Sequence, residues 1–171
     1  MQTETPLCVV IVDDEYMVSK LEGGEQVSSI QLVVFRLGEE EYGIEIGFAQ
    51  EIIRIPDQIT KMPDIPSYIE GLIHLRGKVI PILDLKKRFG FEQLERSVDN
   101  RLLILDLETM LIGIIVDDVS EVIKIENEAV EKLSVDISSL GSNSLQGIAR
   151  IDERLILVLN ALNLKAEVFR S

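Results

Sequence analysis

The chain of 171 residues is long enough for one domain, or for two small units that share a core. Its 30 acidic and 17 basic side chains give a net charge of −13, which argues against binding to nucleic acid or to anionic lipid. The single Cys and the single His exclude an internal disulfide and a His-rich metal site. Because no apolar run is long enough to span a membrane and no signal peptide is recognisable, we expect a cytoplasmic protein without direct membrane insertion.

Residues 1–29 differ in character from the rest of the chain. The apolar run Cys8–Val12 is typical of a buried strand, and Gly23-Gly24 marks a break after it. We therefore expect an N-terminal extension over residues 1–29 that the fold does not need. A single functional domain would follow over residues 30–171.

Residues 9–15 resemble the first strand and acidic pair of a phospho-accepting receiver domain, in which the acidic pair helps to hold Mg²⁺. A receiver has on the order of a hundred residues, and the later strands that would complete its acidic pocket do not follow. We expect this segment to be a tail, an added edge strand or the relic of a fusion. Asp13 and Asp14 should accept no phosphate.

Nine short apolar runs separated by turn signals follow from residue 30 onward. They predict strands over residues 30–37, 42–46, 72–76, 78–83, 101–108, 111–116, 119–125, 146–151 and 154–160. Helical spacing is brief and predicts short helices over residues 48–54, 85–89 and 127–133. Several connections are too short for parallel crossovers, so the pattern favours antiparallel strands in a mostly β fold with two small barrels. Pro81 lacks an N–H group, which predicts that its strand is an edge strand or bulged.

The sequence contains no recognisable catalytic motif. Asp117 and Asp118 are candidate metal carboxylates, but acidic residues at a strand end are common in solvated turns. A hydrolytic triad would need His74, which alternation places on the strand face opposite its apolar neighbours. We expect no enzyme activity, no cofactor and no metal.

One segment is basic against the acidic background. Five cationic residues and one acidic residue leave a charge of +4 over residues 76–88, namely Arg76, Lys78, Lys86, Lys87 and Arg88 against Asp84. Such a segment is either a solvated surface or a docking surface for an acidic protein partner.

A resemblance to the CheW family of bacterial chemotaxis coupling proteins begins at residues 75–85, which read Leu-Arg-Gly-Lys-Val-Ile-Pro-Ile-Leu-Asp-Leu. The family's Asn-Leu-Arg-Gly, Pro-x-x-Asp-Leu and Phe-Gly are matched by residues 74–77, 81–85 and 89–90, with His74 where the family usually has Asn. Further blocks within residues 34–52, 113–122 and 147–159 agree in the same order. The resemblance extends over residues 30–164.

The resemblance implies a mainly β, non-catalytic adaptor made of two packed five-stranded SH3-like β-barrel subdomains with a few short helices. Family members bind the regulatory domain of the histidine kinase CheA. They also bind the cytoplasmic hairpin tip of methyl-accepting chemotaxis receptors in a groove between the barrels, so this chain would be recruited to membrane receptor arrays. Carried over by position, the receptor-binding residues are Ala49, Glu51, Arg76, Leu102, Val119 and Val122. We expect Glu51 and Arg76 to form a polar pair, and Ala49, Glu51, Arg76 and Val119 to be partly exposed. We expect the kinase to bind at the barrel ends.

Two alternatives stay open. The chain could be a CheW-like domain of a larger signalling protein, either a receiver-fused coupling protein or the kinase's own regulatory domain. From another class, it could be a small β-barrel enzyme or an oligonucleotide binder. The lack of a catalytic set argues against the enzyme, and the charge and the lack of an aromatic-plus-Arg surface argue against nucleic acid.

Overall fold

The computed structural model describes residues 8–12, 15–19, 29–91, 96–132 and 145–168. The strands are β1 (Cys8–Val12), β2 (Glu15–Ser19), β3 (Ser29–Leu37), β4 (Glu40–Glu45), β5 (Ala49–Arg54), β6 (Ile69–Leu75), β7 (Lys78–Asp84), β8 (Arg101–Asp106), β9 (Leu111–Val116), β10 (Asp118–Glu126), β11 (Val130–Glu131), β12 (Leu145–Ile151) and β13 (Arg154–Leu159). The α-helices are α1 (Leu85–Arg88) and α2 (Ala161–Val168), and 3₁₀ helices cover Ile46–Phe48 and Asn127–Ala129. Within these ranges, none of the helices has the length and apolar character needed to cross a membrane.

The strands form two sheets. The first has the order β1-β2-β5-β8-β9-β7-β6 and the second the order β10-β3-β4-β13-β12-β11. Strand pairs are antiparallel except β7 with β9 and β13 with β4, which are parallel. Apart from the N-terminal hairpin the first sheet has five strands, and the second has five long strands and the two-residue β11. The predicted mainly β fold of two packed five-stranded barrels is confirmed.

Each barrel has its own apolar interior. All five strands of the first barrel contribute to a buried cluster of Ile53, Ile73, Ile80, Ile82, Leu102, Ile104 and Ile115. The second barrel encloses Leu32, Val34, Ile125, Ala149, Ile156 and Val158. The cluster of the first barrel draws on every strand, as a closed barrel requires, whereas β4 contributes no residue to the cluster of the second barrel.

The largest apolar cluster lies between the two barrels. Along β8, Leu103 and Leu105 belong to this cluster and alternate with the residues that face the barrel interior. Phe35 of β3 and Ile52 of β5 also belong to it. Successive residues of a strand point to opposite faces, so strands at this interface bury both faces. That is why they appear in the sequence as continuous apolar runs rather than as alternating ones.

All nine strands predicted from residue 30 onward are present, with ends displaced by at most three residues. The N-terminal run Cys8–Val12 is also a strand. It pairs with β2, and β2 pairs with β5 at two positions, so this hairpin is an added edge of the first sheet. Asp13 and Asp14, the receiver-like acidic pair, lie outside the described residues.

The predicted helix over residues 48–54 is wrong, because residues 49–54 form strand β5. Ala49, Ile52 and Ile53 have the spacing of a helix face, but a bulge in the pairing with β8 between Ala49 and Glu51 produces the same spacing in a strand. Of the predicted helix over residues 127–133, residues 127–129 form a 3₁₀ turn and residues 130–131 form β11, and residue 133 lies outside the described residues. Helix α2 and strands β2 and β11 were not predicted.

Strand β7, which contains Pro81, is not an edge strand, because β6 and β9 flank it. Its pairing with β9 begins only at Ile82, whereas Pro81 itself pairs with Leu72 of β6. At Pro81 the strand therefore has a neighbour on one side only. The missing N–H group costs no ladder hydrogen bond on the other side, which explains why proline is tolerated there.

Candidate functional site

A groove of about 240 Å³ lies where the two barrels meet. Strands β5 and β8 of the first barrel form one wall, and β10 of the second barrel forms the other. The residues that line it are Ile52, Arg101, Asp118, Val119, Ser120, Glu121 and Val122. Val119 and Val122 are half-buried and pack against the interbarrel cluster that contains Ile52. The groove thus has an apolar floor and charged residues at its rim.

A bulge in β10 directs both valines into the groove. The pairing of β10 with β3 shifts between Val119 and Glu121, so Ser120 is an extra residue on the bulged strand. Val119 and Val122, three residues apart, therefore lie on the same face, which a regular strand would not allow.

An ion-pair network holds the β10 rim of the groove. The guanidinium of Arg154 on β13 lies 2.7 Å from the Glu121 carboxylate. It also pairs with Glu41 of β4, where its Nε donates over 3.2 Å. The hydrogen bonds to Glu41 and Glu121 raise the pKa of Arg154 above its usual range. Three strands of the second barrel are joined in this way at the groove's edge.

Glu51 and Arg76 form the predicted polar pair. Arg76 Nη1 lies 2.7 Å and 2.8 Å from the two carboxylate oxygens of Glu51. Arg76 and Gly77, both with positive φ, form the two-residue turn between β6 and β7. Strands β5 and β6 are four places apart in the sheet, which would be roughly 19 Å if the sheet were flat. The ion pair therefore closes the first barrel.

The six residues carried over from the family do not all face the groove. Val119 and Val122 line it, whereas Ala49 is buried in the interbarrel cluster. Leu102 lies in the interior of the first barrel, since alternation along β8 separates it from Leu103. Glu51 lies opposite Ile104, on the barrel side of β5 rather than at a solvated rim.

The expectation of partial exposure is confirmed for Arg76 and Val119 and is wrong for Ala49 and Glu51. Ala49 is 4% exposed and Glu51 is 0% exposed. The bulge in β5 is the physical reason, because it turns Ala49 to the interbarrel side and Glu51 towards the first barrel.

Sequence reasoning missed five of the lining residues, namely Ile52, Arg101, Asp118, Ser120 and Glu121. Most of them are sequence neighbours of predicted residues on β5, β8 and β10. Their position next to the carried-over residues in the sequence was the signal that could have identified them. Which of two neighbours faces the groove depends on the bulges, which leave no clear mark in the sequence.

The basic segment is largely neutralised within the chain. Lys86 Nζ lies 3.2 Å from both carboxylate oxygens of Asp117, and Lys87 pairs with the buried carboxylate of Glu70. Arg88 lies over the ring of Tyr68, 5.5 Å from its centroid. With Arg76 paired to Glu51, four of the five cations have intramolecular partners. Little unpaired positive charge remains on this segment to attract an acidic partner. This disfavours the interpretation of the segment as a docking surface.

Glu70 has a cationic environment of its own. Burial alone would raise the pKa of its carboxyl, but the hydrogen bond from Lys87 and the charges of Arg96 and Lys87 hold this pKa below the ordinary 4.5. Arg96 Nη2 lies 2.8 Å from the second carboxylate oxygen. The cluster joins β6 to α1 and to the segment that precedes β8.

Of the two candidate metal carboxylates, Asp117 supports the fold. Asp117 accepts a hydrogen bond of 2.6 Å from the backbone N–H of Gly38, in addition to the Lys86 ion pair. Asp118 is exposed, and His74 is exposed on β6 opposite Val79. Over the residues that the structure describes, no three His, Cys, Asp or Glu side chains are grouped to hold a metal.

Comparison with known proteins places this geometry in a family. The CheW-like domain family matches residues 31–168. The chemotaxis protein CheW of Klebsiella aerogenes is 34% identical over 143 residues, which are 84% of each chain. The chemotaxis protein CheW of Treponema pallidum is 35% identical over 134 residues, which cover 76% of this chain and 78% of the relative.

A solved structure shows the same fold. The crystal structure of the scaffolding protein TtCheW from Thermoanaerobacter tengcongensis superposes with a TM-score of 0.67 and 39% identity, over 77% of this chain and 88% of that one. The match covers most of the length of each of these relatives. The chain therefore belongs to the CheW-like family of chemotaxis coupling proteins, which are non-catalytic adaptors.

Proposed function

We propose that this chain couples methyl-accepting chemotaxis receptors to the histidine kinase CheA, and that the helical tip of the receptor docks in the groove between β5, β8 and β10. The observation that carries the proposal is the convergence of Ile52, Val119 and Val122 on one apolar floor at the barrel junction. An amphipathic helix binds a protein by laying its apolar stripe in such a groove.

The other carried-over residues would act behind the groove. Ala49 and Leu102 pack on the two faces of the β5–β8 pair, and the Glu51–Arg76 pair closes the barrel that carries this wall. We propose that these four residues keep the wall in position, while Val119 and Val122 touch the receptor. The regulatory domain of CheA would bind at the barrel ends, in the cytoplasm, at membrane receptor arrays.

Val119→Lys tests the groove. A lysine there would bury a charge against the receptor helix, and an unpaired buried charge costs several kcal/mol. Even about 2.7 kcal/mol corresponds to a hundredfold loss, so we expect the affinity for a receptor cytoplasmic fragment to fall by about a hundredfold or more. Circular dichroism and CheA binding should be unchanged.

Val79→Lys is the matched control, because Val79 is exposed on β7, away from the groove lining. It should bind the receptor fragment as the unmodified protein does. Val122→Lys is a second groove variant in case Val119→Lys does not fold. Normal receptor binding by a folded groove variant, or unfolding of both variants, would contradict docking at this groove.

A further inference from the structure

Arg101 is the cationic residue among those that line the groove. Its side chain is half-buried at the start of β8. Its Nη1 donates to the backbone carbonyl oxygens of Val98, at 2.7 Å, and Asn100, at 3.0 Å. Both acceptors are neutral, so these bonds orient the guanidinium without neutralising it.

Among the residues that the structure describes, no carboxylate pairs with this arginine, although acidic side chains outnumber basic ones by 30 to 17 in the full sequence. Within the described ranges, ion pairs involve Arg76, Lys86, Lys87, Arg96 and Arg154 but not Arg101. Glu121 lines the same groove, but Arg154 already occupies its carboxylate. Asp118 is exposed at the rim and forms no ion pair with Arg101.

The charge of Arg101 therefore stays available at the groove. Its described hydrogen bonds go to neutral carbonyl oxygens, and its side chain lines the groove between the barrels. A positive charge held in this way at a binding groove is explained most simply by a partner that carries the negative charge.

We propose that Arg101 is a specificity-determining residue that receives an Asp or Glu carboxylate from the docked receptor helix. This role rests on the proposed function and requires a receptor helix with an acidic residue. Both internal hydrogen bonds use Nη1, which leaves Nε and Nη2 for the side-by-side pairing that a carboxylate makes with a guanidinium.

The partner helix should carry its acidic residue three or four positions from the apolar residue that fills the floor, since residues at that spacing are neighbours on a helix. The two walls also differ in charge. Arg101 lies on the β8 side, whereas Asp118 and Glu121 lie on the β10 side. This polarity would orient the docked helix with its acidic side towards β8.

The test measures the affinity of a receptor cytoplasmic fragment for full-length variants at low and at high NaCl concentration. We expect Arg101→Gln to bind about tenfold more weakly at low salt, with a difference that shrinks as salt screens the lost ion pair. Arg101→Lys should recover part of the affinity, because it keeps the charge but not the planar fork. Arg150→Gln removes an exposed strand arginine from β12, outside the groove lining, and should match the unmodified protein.

Three results would overturn the inference or its basis. Unchanged binding by Arg101→Gln, with Val119→Lys still defective, would leave the groove in place and remove Arg101 from recognition. A loss of affinity that is equal at low and high salt would assign Arg101 to holding the Val98–Asn100 backbone instead. Normal binding by folded Val119→Lys as well would remove the proposed groove itself.

Discussion

The carboxylate of Glu51 is fully buried and is neutralised by Arg76, whose side chain remains half exposed. Removing Arg76 would leave the buried charge without its partner. We expect Arg76→Ala to lower the free energy of unfolding by about 2 kcal/mol, below the 3–5 kcal/mol of a fully buried pair. Urea unfolding of Arg76→Ala, Glu51→Gln and the double variant measures the coupling.

The double variant should lose less stability than the sum of the single losses, because it removes the charge together with its partner. Lys78→Ala, which removes an exposed cation next to the same turn, is the control and should cost under about 0.5 kcal/mol. Additive losses would show that the ion pair does not stabilise the closed barrel. Because Glu51 is buried, Glu51→Lys would destabilise the fold and is a poor test of receptor contact.

The Glu70 cluster predicts a pH dependence of stability. The folded-state pKa of Glu70 lies below its unfolded value of about 4.5, so its contribution is fully present above that value. The contribution is lost as the pH falls through the folded-state pKa. We expect Glu70→Gln to cost about 1–3 kcal/mol at pH 7, and this difference should shrink below about pH 4.5.

Urea unfolding at pH 7 and at several values between about pH 3 and 5 measures the effect. The lower range brackets the ordinary pKa values of carboxyl groups. Glu153→Gln in the exposed turn between β12 and β13 is the control and should show little difference at any pH. A Glu70→Gln penalty that stays constant down to the acid limit would mean that its charge is not what stabilises the cluster.

At the scale of elements, the N-terminal hairpin is joined to its sheet by few strand pairings. Strand β2 pairs with β5 at two positions, whereas β5 pairs with β8 at five. We expect removal of residues 1–26 to lower the melting temperature by no more than a few degrees and to leave CheA binding intact. Thermal unfolding and a kinase-binding titration would measure this.

Removal of residues 1–7, which leaves β1 and β2 in place, is the matched truncation. A large loss of stability or of kinase binding on removal of residues 1–26, but not of residues 1–7, would make the hairpin an integral part of the domain. Strand Cys8–Val12 would then be required for the stability of the domain and would not be a dispensable added edge.

At the scale of the whole molecule, the largest apolar cluster lies between the barrels and not inside either of them. Neither barrel can separate without exposing it, so we expect both to unfold in one cooperative transition. Leu103→Ala in the interbarrel cluster should cost about 2–5 kcal/mol, and Leu102→Ala inside the first barrel should cost a similar amount. Both variants should keep a single transition.

Differential scanning calorimetry provides the measurement, with a ratio of calorimetric to van't Hoff enthalpy close to one expected for all three proteins. Two resolved transitions in the unmodified protein would show that the barrels are independent units. A second transition that appears only in Leu103→Ala would show that the interface is the weaker link and would also contradict a single cooperative core.

Local features of the sequence were sufficient for most strands. Apolar runs bounded by turn residues identified nine of them, because a strand length and its bounding turns depend on neighbouring residues only. The matched blocks placed Val119 and Val122 at the barrel junction and identified the Glu51–Arg76 pair. Residues 49–54 were misassigned because a bulged strand buried on both faces has the same apolar spacing as a helix.

The tertiary structure decided which side of each strand faces the groove and which charges meet. Arg76 and Glu51 are 25 residues apart and Arg154 and Glu41 are 113 apart, so these pairs exist only after the sheets have closed and packed. Leu102 and Arg101 are sequence neighbours, yet one lies inside a barrel and the other lines the groove. The sequence by itself determined most of the strands, the adaptor family and the absence of a catalytic motif. Burial, bulges and the uncompensated charge of Arg101 follow from long-range packing, which no local pattern encodes.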